Sequence, residues 1–152
     1  MVEYILLDSS PLGLACGNPR RSETVRSLNW LDGLLARGVV VFVPEVADYE
    51  VRRELTRIGA TPSLIRLDAL VTNCGLRYAP ITTPQMRQAS LFWADARNRG
   101  LPTASPDALD ADVILAACAA TIGQPGDQVI VATRNVGHLA RYCDARLWTS
   151  IT

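Results

Sequence analysis

The sequence predicts an α/β fold: a three-layer α/β/α sandwich around a central, mostly parallel sheet of about five strands. Three observations carry that expectation. Short apolar runs alternate with segments of helical periodicity along the whole of the 152 residues. Residues 39–43 read Val-Val-Val-Phe-Val, a run without polar alternation that suits a strand covered on both faces. The breaks between segments are chemical, with Ser or Thr before helices and Gly after them.

Taken in order, Tyr4-Ile5-Leu6-Leu7 is a buried strand that stops at Asp8-Ser9-Ser10-Pro11, a turn or helix start. Ser22 caps a helix to about Arg37, in which Val25, Leu28, Leu31 and Leu35 recur at helical spacing and Gly38 supplies the stop. The strand Val39–Val43 runs through Pro44 into a helix from Glu45 to about Ile58, ended by Gly59. Thr61-Pro62-Ser63 starts the next helix, through Val71, and Tyr78–Ile81 is a weaker strand whose Pro80 marks a strand end. Thr83-Pro84, cap then proline, opens a helix through Arg97. Leu101–Pro106 is a loop, and Asp107 to Asp112 opens a helix that turns apolar from Val113 to Ile122. After a turn at Gly123–Gly126, Val129–Ala132 is a strand that runs straight into Thr133-Arg134-Asn135. A short helix near Gly137 to Tyr142 and a last strand, Leu147–Thr149, complete the pattern. Repeats, low-complexity tracts and linkers are absent, so residues 1–152 are expected to form one domain.

Composition narrows the function classes. Fifteen basic residues, all of them arginine, balance fifteen acids, which excludes the bulk positive field of a polybasic protein but leaves room for local asymmetry. The apolar share of 49% is too high for a disordered chain. Cys16, Cys74, Cys118 and Cys143 lack the short spacing of a zinc or redox motif and are expected to be reduced core thiols. No apolar run approaches the ~18 residues of a spanning helix, and Glu3 and Asp8 interrupt the first one, so a cytoplasmic protein without a membrane partner is expected.

The carboxylates divide by context. Glu23, Asp32, Glu54, Asp68, Asp95 and Asp144 have polar neighbours and read as solvated surface. Asp8 instead ends a strand expected to be central, where it either caps a short helix starting at Pro11 or serves a ligand. Glu50 lies on or beside the inward stripe of its helix, four residues after Val46, and either pairs with Arg53 or Arg57 or turns inward. Glu45 and Asp48 are accounted for by the helix dipole. Asp107, Asp110 and Asp112 exceed what one helix start needs, and Asp112 directly precedes the apolar run. In parallel sheets functional groups gather at the carboxyl ends of strands, the edge that Asp8, Thr133 and Asn135 should share. Three converging carboxylates make an all-oxygen site for Mg²⁺ or Mn²⁺, ions suited to phosphodiester hydrolysis. His138, the lone histidine, reads as a helix-end or surface imidazole and argues against zinc and against a Ser-His-Asp hydrolase.

Strand then Asp8-Ser9-Ser10, Pro44 six residues before Glu50, Asp112-Val-Ile-Leu-Ala-Ala, and strand-Thr133-Arg134-Asn135 with His138-Leu139 beyond together resemble a PIN domain of the VapC toxin type. The resemblance covers nearly the whole chain. It implies metal-dependent ribonuclease activity that leaves 5′-phosphate and 3′-hydroxyl ends, with Asp8, Glu50 and Asp112 as Mg²⁺ or Mn²⁺ ligands. Thr133 and Asn135 would orient a ligand or a water, and Ser9 and Arg134 would contact substrate. Where many relatives carry a further acid this chain has Gly137-His138, which leaves Asp110 or Asp107 to complete a second site. The resemblance also implies an RNA substrate, a cognate antitoxin whose C-terminal segment enters the acidic groove, and a homodimer, with Leu31-Leu34-Leu35 or Phe92-Trp93 as contact surfaces. Arg20, Arg21, Arg26, Arg52, Arg53, Arg57 and Arg66 form either a phosphate track or ordinary helix ion pairs. A PIN-like binding module without catalysis and a phosphohydrolase for another substrate are the competing readings.

Overall fold

The computed structural model describes residues 1–73, 75–102, 105 and 110–152. Strands β1 (Glu3–Leu7), β2 (Val40–Pro44), β3 (Arg77–Ala79), β4 (Gln128–Thr133) and β5 (Asp144–Leu147) form one sheet in the order β3-β2-β1-β4-β5, every neighbouring pair parallel. Tyr4 of β1 stands opposite Val40 on one side and Val129 on the other, so β1 is central. From β1 the chain moves outward through β2 and β3, then crosses back to place β4 against the other side of β1. The order therefore reverses between β1 and β4, the position at which open parallel sheets present a crevice beyond their carboxyl ends.

Helices cover both faces. On one, α1 (Ser9–Ala15), α2 (Ser22–Ala36), α3 (Glu45–Arg57) and α4 (Thr61–Asn73) bury Leu12, Leu34 and Leu67 against Ile5, Leu7, Val41, Val43, Ile130 and Ala132. On the other, α5 (Thr83–Asn98), α6 (Ala111–Thr121) and α7 (Val136–Leu139) pack against Leu6 and Val131. The alternation Ile5-Leu6-Leu7 between the two cores is the two-residue period of a strand. Each of these three side chains is fully buried, a contribution of about 1.5–3 kcal/mol apiece. Helix α6 is buried continuously from Val113 to Ala119, which is why its sequence shows no polar face. Helix α3 spans the boundary: Val46 enters the second core while Ala47 and Val51 enter the first.

Several local expectations are corrected. Helix α1 starts at Ser9 rather than Pro11, with Asp8 as its N-cap. Helix α5 is capped by Thr82, not Thr83; Thr82 and Gln85 form a reciprocal capping box, since Gln85 rather than Met86 stands three residues on. The third strand is Arg77–Ala79, shifted toward β2 by pairing with Phe42–Pro44. The short helix after β4 is Val136–Leu139, one turn rather than two. The last strand is Asp144–Leu147, and Trp148 begins a 3-10 turn, Trp148–Ser150, that drops its indole into the core. An edge strand paired on one side needs no apolar run, so the Leu147-Trp148 pair was a misleading signal. Leu31 and Leu34 are core residues and offer no contact surface; Leu35 packs against the same core, and Phe92 stacks on Tyr142. Cys16, Cys118 and Cys143 are free thiols, as expected, while Cys74 and Asp107 lie outside the described residues. Among the described residues no helix is long and apolar enough to cross a membrane.

Candidate active site

The carboxyl edge at the β1/β4 crevice is built from backbone outward. Asp8 leaves β1 with extended dihedrals (φ −72°, ψ 167°), while its N–H still donates to the Ala132 carbonyl of β4 at 2.9 Å. The carboxylate is held at both oxygens: Oδ1 accepts from the Ser9 N–H at 2.7 Å and Oδ2 accepts from the Thr133 hydroxyl at 2.7 Å. The helix-capping reading of Asp8 is therefore realised by one oxygen, and the other faces the end of β4. Thr133 is fully buried, and its hydroxyl oxygen accepts the Asn135 N–H at 3.0 Å. Donor thus follows donor from Asn135 through Thr133 to Asp8, which fixes the carboxylate plane. A further strap runs from the Arg134 N–H to the Ser10 hydroxyl at 3.0 Å, joining the end of β4 to α1.

Glu50 and Asp112 come from the two layers that flank this crevice. Glu50, on α3, is one-quarter exposed, and its pKa is raised by burial and then by the charge of Asp8, with Arg53 opposing and Asp112 adding to the rise. Arg53 stands 3.9 Å from its Oε2. Arg57, the alternative partner, pairs with Glu54 instead. Asp112, in the first turn of α6, has its pKa raised by burial, lowered by a contact with His138, and raised again by Asp8 and Asp110. The His138 Nδ1 lies 3.3 Å from Asp112 Oδ2. Asp110 is buried and caps α6, its Oδ1 accepting the Val113 N–H at 3.4 Å. Burial and the neighbouring carboxylates thus act together on Glu50 and Asp112, because like charges in a partly desolvated space disfavour ionisation.

The structure joins Asp8 to Thr133 and Thr133 to the Asn135 backbone, while Glu50 and Asp112 lie within the electrostatic reach of Asp8, and Asp112 within that of Asp110 as well. Among the described residues, no three His, Cys, Asp or Glu side chains stand together as ready ligands to one ion. The donor chemistry nevertheless fits Mg²⁺ or Mn²⁺, since every candidate donor is a carboxylate oxygen and the mutual repulsion calls for a cation. Ser9 lines a groove of about 420 Å³ with Ser10, Gly13, Glu50, Val51, Arg53, Glu54 and Leu55. Arg134 points outward, 3.9 Å from Glu23 with both side chains mostly exposed. Cys143 also feels Asp8 and Asp112, but burial is the main cause of a thiol pKa pushed up to about 12, which keeps it protonated and unreactive.

Sequence reasoning left three features unassigned. His138 touches Asp112, a contact across 26 residues that no local pattern signals. Glu45 is held by the Tyr78 hydroxyl at 2.9 Å and the Ile81 N–H at 3.3 Å, so it fastens the β3–α5 connection besides facing a helix dipole. Arg53 stacks on Tyr49, four residues earlier on α3; that spacing was visible but carried no motif.

An open parallel sheet in this strand order, with an acid at the central strand's carboxyl end and further acids on the two flanking helices, has the PIN fold found in VapC-type toxins. Solved structures show the likeness in particular. A VapBC2 complex of Rickettsia felis bound to a fragment of its promoter DNA matches with a TM-score of 0.70 at 13% identity, over 94% of this chain and 97% of that one. DNA-bound VapBC of Salmonella typhimurium matches with a TM-score of 0.68 at 16% identity, over 97% and 99%. The VapC20 toxin of Mycobacterium tuberculosis, which cleaves the sarcin-ricin loop, matches with a TM-score of 0.61 at 15% identity, over 90% and 94%. No protein-family model and no curated protein matches the sequence.

Proposed function

We propose that the chain is a metal-dependent endoribonuclease that acts in the cytoplasm as the toxin of a toxin–antitoxin pair. The observation that carries this reading is the approach of Asp8, Glu50 and Asp112, from three separate segments, to one crevice where their charges act on each other. Acids that serve only structure are normally neutralised by a partner, whereas at Glu50 and Asp112 burial and neighbouring carboxylates outweigh Arg53 and His138 and leave both pKa values raised. Asp8, Glu50 and Asp112 would hold Mg²⁺ or Mn²⁺, with Asp110 behind them. Bound there, the ion supplies a more acidic water and neutralises charge on the attacked phosphate. Thr133 donates its hydroxyl proton to Asp8 Oδ2, which would hold that carboxylate in a fixed orientation at the crevice. The Asn135 side chain makes no cap on α7 and would orient a water or a ligand. Ser9, on the groove wall, and Arg134, at the rim, would meet the phosphodiester backbone.

Incubating the purified protein with single-stranded RNA, structured RNA and duplex DNA, with Mn²⁺ or with EDTA, tests the reading. RNA cut only with metal, leaving 5′-phosphates, is the expected result; an Asp8→Asn variant as active as the parent would end the catalytic assignment. A binding module without catalysis has one observation in its favour, the lack of three ready ligands among the described residues. Calorimetric titration with Mn²⁺ separates the two, because a module that has lost the metal gives no heat and no cleavage. Induced expression is expected to arrest growth and to be relieved by a small protein encoded directly upstream. Light scattering of the purified chain checks the expected homodimer.

A further inference from the structure

We infer that Tyr49 and Arg53 form a stacking platform for one nucleobase of single-stranded RNA beside the scissile phosphate, a role that rests on the nuclease reading. Tyr49 is 49% exposed although Val46, Ala47 and Asp48 before it are buried, so the core does not require this ring. The Arg53 guanidinium carbon lies 5.2 Å from the Tyr49 ring centroid, and its Nη2 lies 3.9 Å from Glu50 Oε2. One arginine therefore links an open aromatic face to an acid of the crevice. At about 100° per residue Tyr49, Arg53, Val46 and Glu50 fall in that order across a single stripe of α3, with Arg53 between the ring and the carboxylate.

A concavity lies on each side of this stripe. The groove of about 420 Å³ that holds Ser9, Ser10 and Glu50 runs between α1 and α3. A recess of about 280 Å³ lies on the other side, walled by Val46, Tyr49 and Ile81 and closed by Glu45. Both Glu45 oxygens are already held by bonds from Tyr78 and Ile81, and the remaining walls, Val46, Tyr49 and Ile81, offer mainly apolar contact. Its size admits a planar ring. An apolar slot with one aromatic wall, an arginine plane stacked on that wall and a phosphate-handling crevice next to it match the way proteins read splayed single-stranded bases. A base in the recess meets the Tyr49 ring, and Arg53 is left within reach of the adjoining phosphate.

The test measures anisotropy of a fluorescein-labelled single-stranded RNA in EDTA, so that binding is read without cleavage. Tyr49→Ala is expected to weaken binding roughly ten- to a hundredfold, and Tyr49→Phe to stay within about twofold of the parent. Moving one abasic nucleotide along the RNA should find a position that weakens the parent comparably and leaves Tyr49→Ala unaffected, the signature of a shared contact. Equal RNA affinity in parent and Tyr49→Ala, or an abasic penalty that persists in Tyr49→Ala, overturns the platform. So does loss of a co-expressed upstream-encoded protein from Tyr49→Ala with RNA affinity unchanged, which would make the recess a protein contact. If the parent cleaves RNA with Mn²⁺ while Tyr49→Ala binds like the parent, only the platform fails; if the parent neither binds nor cleaves RNA, the nuclease reading fails with it.

Discussion

Helix α3 carries two acids two residues apart, Asp48 and Glu50, in opposite electrostatic surroundings. Asp48 is gripped by both arms of Arg52, at 2.9 and 3.0 Å, and the same guanidinium reaches Asp68 of α4 at 2.8 Å. Both neighbours raise the Arg52 pKa further, the Asp48 hydrogen bond most of all. This trio is a fastening between two helices. Glu50 faces Asp8 and Asp112, with one guanidinium at the edge of ion-pair range. The difference teaches that sequence polarity alone does not tell a site from a strut: what separates them is whether each charge has been given its counter-charge.

Substitutions on each side of that divide should behave oppositely. The largest expected effect is on cleavage by Asp8→Asn, a loss of at least about a hundredfold in kcat/KM, whereas Asp68→Asn should change it by less than about twofold. Similar losses from both would erase the distinction. Next, Thr133→Val removes the hydroxyl from Asp8 Oδ2 and should weaken Mn²⁺ binding about ten- to a hundredfold by calorimetry, with Thr133→Ser restoring it.

Metal and pH should act only on the unneutralised set. At about a hundredfold excess over its Kd, Mn²⁺ should raise Tm at neutral pH by about 5–10 °C. The Glu50 and Asp112 pKa values lie above their unfolded values, so their ionisation costs stability above the folded pKa and costs nothing below the unfolded one. In EDTA these two groups should therefore favour the folded state increasingly as pH falls from neutral through their raised pKa values toward the ordinary carboxylate range, and the Mn²⁺ increment should shrink over the same interval. Scanning calorimetry with and without Mn²⁺ across that interval checks the sign; an increment that grows on acidification would contradict the assignment. The smallest effect is expected on the strut. Arg52→Ala leaves Asp48, a buried residue, without its partner and should cost about 1–2 kcal/mol in urea unfolding, while the kcat/KM of the folded protein is kept.

The layers were legible because burial on both faces of β1, β2 and β4 demands apolar runs, and the helices between them carry caps and stops. Asp8 was legible because a carboxylate at the end of such a run is costly without a purpose. The strut was not, since Asp48 and Asp68 look like any solvated helix acids until α3 and α4 are side by side. Asp110 shows the limit from the other direction: a cap and a ligand candidate are the same residue in the sequence, and it is the structure that shows its bond to the Val113 N–H. β5 was placed three residues too late because Asp-Ala-Arg-Leu has no apolar run and its alternation lasts only four largely exposed residues, with Asp144 and Arg146 paired with each other.

The bond from Thr133 to Asp8 joins residues 125 positions apart. Its formation waits on the pairing of β1 with β4, the sheet contact of greatest sequence separation and so the one with the costliest loop to close. During synthesis β1 emerges first and stays incomplete until most of the chain has followed. On the nuclease reading, a crevice located at that seam would give the nascent chain no working centre until β4 has paired with β1.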